Sequence, residues 1–248
     1  CAGDYIMATS DIKKGPLYVD STNNRVGVGT ASPARQLTIE NTIANAGGEA
    51  GILSSDSSTS GTFGTLHFGN NTDTSLASIR AKADGSTTAG KLEFNTEANG
   101  GAIETRMTID SSGRVTMPSQ PSFAATRSQG HVNNSVFVYP NVYHNTGNHY
   151  NSSNGRFTAA VAGSYFIATN HMSNNNATHT NVQYAIRING VNHQFVYSSS
   201  GSAVHHRWSW AGVIYLNQGD YIDVFVSSGL TLYAVSNSYT QFSGYLLG

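Results

Sequence analysis

Residues 211–228 read AGVIYLNQGDYIDVFVSS, two apolar runs on either side of the turn residues Asn217, Gly219 and Asp220. Runs of this length, rich in β-branched and aromatic residues and broken by a Gly-Asp pair, are two long antiparallel strands joined by a tight turn. In the second run Ile222, Val224 and Val226 fall on one face, because successive strand side chains point to opposite sides. Tyr221, Asp223 and Phe225 form the other face. Its aromatic content predicts cover on both sides of the strand, the second cover coming from a subunit interface.

The same pattern continues outward from this hairpin. SVFVYPNV (135–142), RFTAAVAGSYFIAT (156–169), VQYAIRING (182–190), LTLYAV (230–235) and QFSGYLLG (241–248) are further strand runs separated by Asn, Ser and Gly. Their number and spacing are those of an all-β sandwich or barrel. In VQYAIRING, Tyr184, Ile186 and Ile188 share one face and Arg187 and Asn189 the other, the period of a half-buried strand. Gly155 and Gly163 sit at strand ends, and Gly244 stands in the last strand where a missing side chain lets a neighbour pack closely.

The charge balance changes along the chain. Residues 1–120 carry twelve acidic residues against four Lys and five Arg, a net of -3, whereas 121–248 carry only Asp220 and Asp223 against four Arg, a net of +2. Eight of the nine His also lie beyond residue 130. The change falls near Pro118 and Pro121, so three segments are expected: 1–16 as a linker, 17–117 as a β-hairpin-rich domain, and 118–248 as a second, globular domain. In the middle segment LYVDSTNNRVGV (17–28) and MTIDSSGRVTM (107–117) repeat one hairpin type, with Asp20 and Asp110 before the turn and Arg25-Val26 and Arg114-Val115 after it. Between them lie TLHFGN, ASIRAK and KLEFNT, short strands too thin in large apolar residues to bury much alone, so identical neighbours in a trimer are expected to complete the core.

With 11% charged residues and a net charge of -1, the chain has no basic cluster to neutralise a phosphate backbone, which excludes nucleic acid as a partner. No apolar run is long enough to cross a bilayer as a helix, so membrane insertion is not expected. The single Cys1 excludes an internal disulfide. As the first residue it indicates truncation or processing, the latter including lipid anchoring of a secreted bacterial adhesin or lipoprotein.

The C-terminal half resembles the globular head of complement C1q and its relatives in the tumour-necrosis-factor superfamily. The resemblance runs through PSFAATR (121–127), NVYHNTGNHYNSSNGRFTAAVAGSYFIA (141–168), ING (188–190), GVIYLNQGDYIDVFV (212–226) and FSGYLL (242–247). It implies a ten-stranded jelly-roll β-sandwich that assembles as a tight homotrimer, with both chain ends near one pole. Tyr165, Phe166, Phe225, Phe242 and Tyr245 are the candidates for its core or trimer contact. Many relatives hold calcium through acidic side chains, but residues 111–219 contain no Asp or Glu, so a carboxylate-built calcium site is not expected, the alternative being a weak one of backbone and Asn carbonyls, and no metal or cofactor is assigned. LYVDSTNNRVGVGTASPARQLTIE (17–40) and ETRMTIDSSGRV (104–115) are similar to segments of bacteriophage tail fibres, notably of phages of cyanobacteria and marine bacteria. Together the two resemblances imply the distal part of a tail fibre. Such a virion-borne, extracellular, trimeric adhesin would be joined to upstream fibre or baseplate proteins and recognise a host cell-surface glycan, lipopolysaccharide or protein receptor. The alternative is a purely structural trimerisation and capping module.

Catalysis is not expected. Glycan hydrolysis needs two facing carboxylates, and Asp220 and Asp223, three apart on a strand, point to opposite faces and read as a turn residue and a solvent or interface residue. Asp56, Asp73 and Glu93 read as solvating charges. Gly201-Ser202 and Gly163-Ser164 lack the setting of a strained nucleophile turn. Sugar recognition needs an aromatic face with polar neighbours. Two groups supply these: Tyr143, His144, Asn145, His149 and Tyr150, and the stretch from Tyr197 through Ser198-Ser199-Ser200 to His205, Arg207, Trp208 and Trp210. Two alternatives stand beside this reading. Trp208 and Trp210, on one face by spacing, complete the core instead, and the histidines serve as a metal site across a threefold axis, a pH-sensitive surface, or surface hydrogen-bonding groups.

Overall fold

Alternating apolar and polar residues with Gly and Asn at the breaks leave strands as the only regular structure that buries one side of each run. A computed structural model of the chain describes residues 17–28, 30–39, 50–128, 130–174, 182–198, 205–227, 230–231 and 239–248. The expected linker 1–16 with Cys1, Ser199-Ser200, Gly201-Ser202 and the 232–235 part of LTLYAV lie outside the described residues. The chain divides into two compact units, 1–104 with 108–114, and 105–107 with 115–248.

In the first unit β1 (Leu17–Asp20) and β2 (Arg25–Val28) form an antiparallel hairpin, and β3 (Leu37–Ile39) adds to β2 in parallel. A five-stranded sheet, of which the first three strands lie wholly in this unit, has the order β4 (Thr62–Phe68), β5 (Ala77–Ala83), β6 (Gly90–Glu97), β7 (Ile103–Ile109) and β8 (Val115–Thr116). The repeated turn has a common physical basis. Asp20 accepts the backbone N–H groups of Thr22 and Asn23 at 3.1 and 3.0 Å, and Asp110 accepts those of Ser112 and Arg114, both at 2.9 Å. The arginines differ. Arg114 Nε returns to Asp110 at 2.7 Å, while Arg25 reaches the Pro33 carbonyl at 2.9 Å. Asp56 and Asp73 likewise bind turn N–H groups, those of Ser58 and Ser75. Glu93 departs from the sequence expectation of a solvating charge: it is buried and held by Arg80 at 2.6 Å and Lys91 at 3.3 Å. Burial pushes its carboxyl up, but those two cations outweigh it and hold the group below its ordinary range.

The second unit is a β-sandwich. One sheet has the order β12 (Asn141–Thr146), β9 (Ser122–Thr126), β21 (Gln241–Leu246), β15 (Gly163–Met172) and β18 (Arg207–Leu216). The other has the order β13 (Tyr150–Asn151), β14 (Arg156–Thr158), β19 (Tyr221–Val226), β16 (Val182–Ile188) and β17 (Val191–Ser198), with β11 (Ser135–Val136) also paired to β19. Since β16 runs along one side of β19, β14 at Tyr221-Ile222 and β11 at Phe225-Val226 lie end to end along the other. Each sheet therefore has five lanes. A short ribbon pairs β10 (His131–Val132) with β20 (Leu230–Thr231). Two sequence runs are broken: 135–142 divides at Pro140, which has no N–H for a ladder, and 156–169 divides at Ala159–Ala162. The entry and exit of the unit meet, Gln120 Nε2 donating to the Leu246 carbonyl at 2.5 Å and Leu246 N–H to Pro121 at 3.0 Å.

The core is aromatic. Phe123 of one sheet stacks on Phe157 (4.6 Å) and Tyr150 (5.0 Å) of the other and meets Phe242 edge-on at 4.7 Å. Space for Phe123 exists because Gly244 has no Cβ: one built there would lie 2.6 Å from Ile167 Cδ1, 2.8 Å from the Phe166 carbonyl and 3.1 Å from the Phe123 ring. A second cluster surrounds His171, which is fully buried among Phe137, Tyr139 and Tyr184 and shares a 2.6 Å hydrogen bond between Nε2 and the Tyr139 hydroxyl. Burial lowers its pKa to about 3. Two expectations follow from this packing. Gly244→Ala should destabilise the sandwich by about 1–3 kcal/mol, read as a lower midpoint in denaturant; an unchanged midpoint would mean the strand has room to move. The second concerns acid. An unfolded His titrates near 6.5, so between that value and about 3 the unfolded chain binds a proton that the folded chain refuses. The stability tied to His171 is complete above about pH 6.5 and falls by up to about 1.4 kcal/mol per pH unit below it. His171→Gln should flatten the stability curve over pH 6.5 to 4 by about one proton's slope, and parallel curves for the two proteins would contradict this.

Candidate functional site

Because the core takes the inward residues of both sheets, function in the sandwich falls to the two outward faces and the edges. The strand register fixes the outward face of the β9/β12/β15/β18/β21 sheet. Val213 and Tyr245 flank Phe166, Ala211 and Ser243 flank Ala168, and Ser209 and Gln241 flank Asn170. Phe166 and Tyr245 touch, with ring centroids 5.5 Å apart. Tyr215 lies opposite Ser164 on the same face. Val213 and Tyr215 are 61% and 64% exposed, and Tyr245 is 47% exposed. Arg207 is the one charged residue that the register places on this face, at its far end opposite Met172. The result is a bare apolar band that grades through small residues into amides.

The other sheet's outward face is neutralised internally. Asp223 is fully buried and accepts from Nε and Nη2 of Arg187, at 2.7 and 2.9 Å, with Arg156 Nε at 3.5 Å. Each arginine also covers an aromatic ring at 4.2 Å, Arg156 over Tyr221 and Arg187 over Phe225. This corrects the reading of Asp223 as a solvent or interface residue: the cover that its face requires comes from two arginines of its own chain. A carboxylate without them would be an uncompensated buried charge, a cost of about 3–5 kcal/mol. Asp220 keeps its turn role. It accepts from Asn189 Nδ2 at 2.7 Å and from the Asn217 N–H at 2.8 Å, bonds that hold its carboxyl below the ordinary range. Both aspartates are thus engaged in bonds within the chain.

The two sequence-derived sugar groups come apart in three dimensions. In the first, Tyr143 is 64% exposed, at an irregularity of β12 between Val142 and His144, and His144 is exposed opposite Ala124. Asn145 is engaged, its amide exchanging bonds of 2.8 and 3.0 Å with the Tyr150 backbone. His149 is half-buried against Phe157. Tyr150 is withdrawn from any surface role: it is 3% exposed, stacked in the core, and its hydroxyl donates to the Tyr139 carbonyl at 3.1 Å. Burial pushes that hydroxyl up to about 12.

In the second group Tyr197 is 60% exposed on the outward face of its sheet, opposite Gln183, beside the half-exposed Phe195. Arg207, Trp208 and Trp210 belong to β18 of the other sheet, and His205 lies just before that strand. Trp208 is 3% exposed and belongs to the core, and Trp210 packs against it, so the tryptophans complete the interior. His205 Nδ1 bonds the Ser173 carbonyl at 2.9 Å, and Arg207 lies over Tyr239 at 5.7 Å. A stretch continuous in sequence is thus divided between opposite faces. Of the core or trimer candidates, Tyr165 and Phe242 are buried, Phe166 and Tyr245 face outward together, and Phe225 lies under Arg187. Val213 and Tyr215 carry the apolar band and are absent from the sequence-derived set. Their signal is present in GVIYL, where large apolar residues occupy both parities of one strand. No group of three or more His, Cys, Asp or Glu that could hold a metal ion occurs among the described residues.

Comparison with known proteins places residues 122–247 in the C1q domain. Similar solved structures include the globular domain of the zebrafish complement 1qA protein, 15% identical, covering 52% of this chain and 98% of that one with a TM-score of 0.44. Murine APRIL at pH 5.0 is 14% identical over 52% of this chain and 99% of that one, TM-score 0.41. Eiger TNF from S. frugiperda is 11% identical over 52% of this chain and 91% of that one, TM-score 0.37. The C1q match spans more than half of the 248 residues, and the chain belongs to the C1q-domain family.

Proposed function

We propose that this chain is the distal part of a bacteriophage tail fibre, a homotrimeric adhesin that recognises a host cell-surface glycan or lipopolysaccharide. On this reading residues 17–117 form the shaft or knob and 118–248 the head. The observation that carries it is the uncharged band of Val213, Tyr215, Phe166 and Tyr245 on the head. A sheet face on which Val213, Tyr215 and Tyr245 are half to two-thirds exposed around the half-buried Phe166 is costly in water, and copies of the same face can cover one another around a threefold axis. The fibre assignment draws its support from the segments 17–40 and 104–115. Recognition is assigned to the exposed aromatics Tyr143 and Tyr197 with His144, His205 and Arg207, since a ring face and neighbouring donors suit a sugar. Three copies then bind together, so weak single contacts multiply.

The full chain should sediment as a trimer, and Val213→Glu with Tyr215→Glu should convert it to a monomer that keeps its β spectrum. A monomeric unmodified chain would sink the assembly. Tyr143→Ala and Tyr197→Ala should leave the trimer intact and each weaken adsorption to host cells or immobilised lipopolysaccharide on the order of tenfold or more, about 1.4 kcal/mol. If the assembled protein adsorbs to no cell and no glycan, the structural capping role replaces adhesion.

A further inference from the structure

In the first unit, strands β4 to β6 have their burial pattern reversed. The register of β4, β5 and β6 sets Leu66 beside Ile79, Ile79 beside Phe94, and Ala81 beside Leu92, which places them on one face. That apolar face is open: Leu66 is 52%, Phe68 49%, Leu92 42% and Ile79 36% exposed. The polar face is closed, with Ser78, Glu93 and Asn95 at 6%, 6% and 4%. Its groups satisfy one another, Asn95 Nδ2 donating to Ser78 Oγ at 3.1 Å and Arg80 binding Glu93. Sheets that stand alone do the opposite.

We propose that this apolar face packs against the same face of other copies of the chain, three sheets meeting around one axis. The proposal rests on the homotrimer described above and assigns a second contact to it. Three observations select a copy of the chain as the occupant. Every charged residue of β5 and β6, from Arg80 and Lys82 to Lys91, Glu93 and Glu97, lies on the opposite face, so nothing here complements a charged partner. Ile52 overhangs the sheet at Gly64, where an added Cβ would meet its side chain, and with Leu66, Ile79 and Leu92 it lines a groove of about 180 Å³ that admits an apolar side chain. The exposed parts of Leu66, Phe68, Ile79, Leu92 and Ile52 with its neighbour Leu53 amount to roughly 600 Å², the upper range for a monomer's largest patch and most of the ~800 Å² that one partner gives to a standard interface. Joining three copies through their heads raises the effective concentration of their first units to roughly millimolar, where a patch of this size suffices.

The test uses the full-length chain with Cys1→Ser as background. Ile79→Cys and, separately, Lys82→Cys are treated with a bismaleimide spanning about 10 Å, the separation of face-packed sheets. Ile79→Cys should give covalently linked chains and Lys82→Cys, on the polar face, should not. Leu92→Cys repeats the first arm should Ile79→Cys fold poorly. Hydrogen exchange of the unmodified protein should show residues 77–97 protected, and Leu66→Lys should remove that protection while sedimentation still reports a trimer. A trimer that gives no linkage from Ile79→Cys or Leu92→Cys overturns this contact and leaves the head trimer standing. A monomeric unmodified chain overturns both. Uptake of the chain onto neutral phosphatidylcholine vesicles, abolished by Leu66→Lys, would assign the face to lipid and overturn the proposal.

Discussion

The stack of Phe123 on Phe157 and Tyr150 is the contact on which the head is organised, because it is made between the two sheets. Offset aromatic pairs of this kind contribute about 0.5–1.5 kcal/mol beyond the area they bury, and Phe123 makes two of them and an edge contact to Phe242. Its position requires Gly244 beside it, since a Cβ there would fall within 3.1 Å of its ring. The inward parity of every strand follows from the same requirement: with Phe123 and Phe242 inside, Tyr245 and Phe166 must face outward.

Once the inward parity is set, the outward faces differ because their charges differ. On one sheet Asp223 is buried and needs both Arg187 and Arg156, and the arginines in turn cover Phe225 and Tyr221. Those aromatics are thereby provided for within the chain. On the other sheet no such cluster exists, and Val213, Tyr215 and Tyr245 remain bare. The head commits its two carboxylates to a turn and to an ion cluster, so any recognition must use aromatic, amide, imidazole and guanidinium groups. That donor set suits neutral or anionic sugars far better than hydrolysis.

Strand runs, the repeated Asp-capped turn and the parity of Tyr184, Ile186 and Ile188 were legible because each depends on residues close in sequence. The placement of Trp208 and Trp210 in the interior was legible as an alternative from their spacing alone. What sequence could not supply was pairing between distant strands. Tyr150 is indistinguishable from Tyr143 by composition, yet its hydroxyl is buried against Tyr139 and its backbone is bonded by Asn145. Tyr197 and Arg207, ten residues apart, part to opposite sheets because β17 pairs with β16 and β18 with β15. Glu93 reads as a solvating charge and Asp223 as a solvent or interface residue because the arginines that enclose them stand on neighbouring strands.

On the proposed reading, the chain's low charge links assembly to recognition. A site whose one fixed charge is Arg207 gains little long-range steering and has few strong hydrogen bonds, so a single copy binds weakly. The same shortage of charge leaves the head band and the β4–β6 face without the repulsion that would keep copies apart. Weak sites become effective when several are displayed together, with avidity gains of about 10²–10⁴. In such a chain the surface that promotes assembly and the surface that benefits from it follow from one compositional choice. Two separate apolar faces, one in each unit, fit a chain that assembles with its own copies, as proposed above, and would be a liability in a monomer.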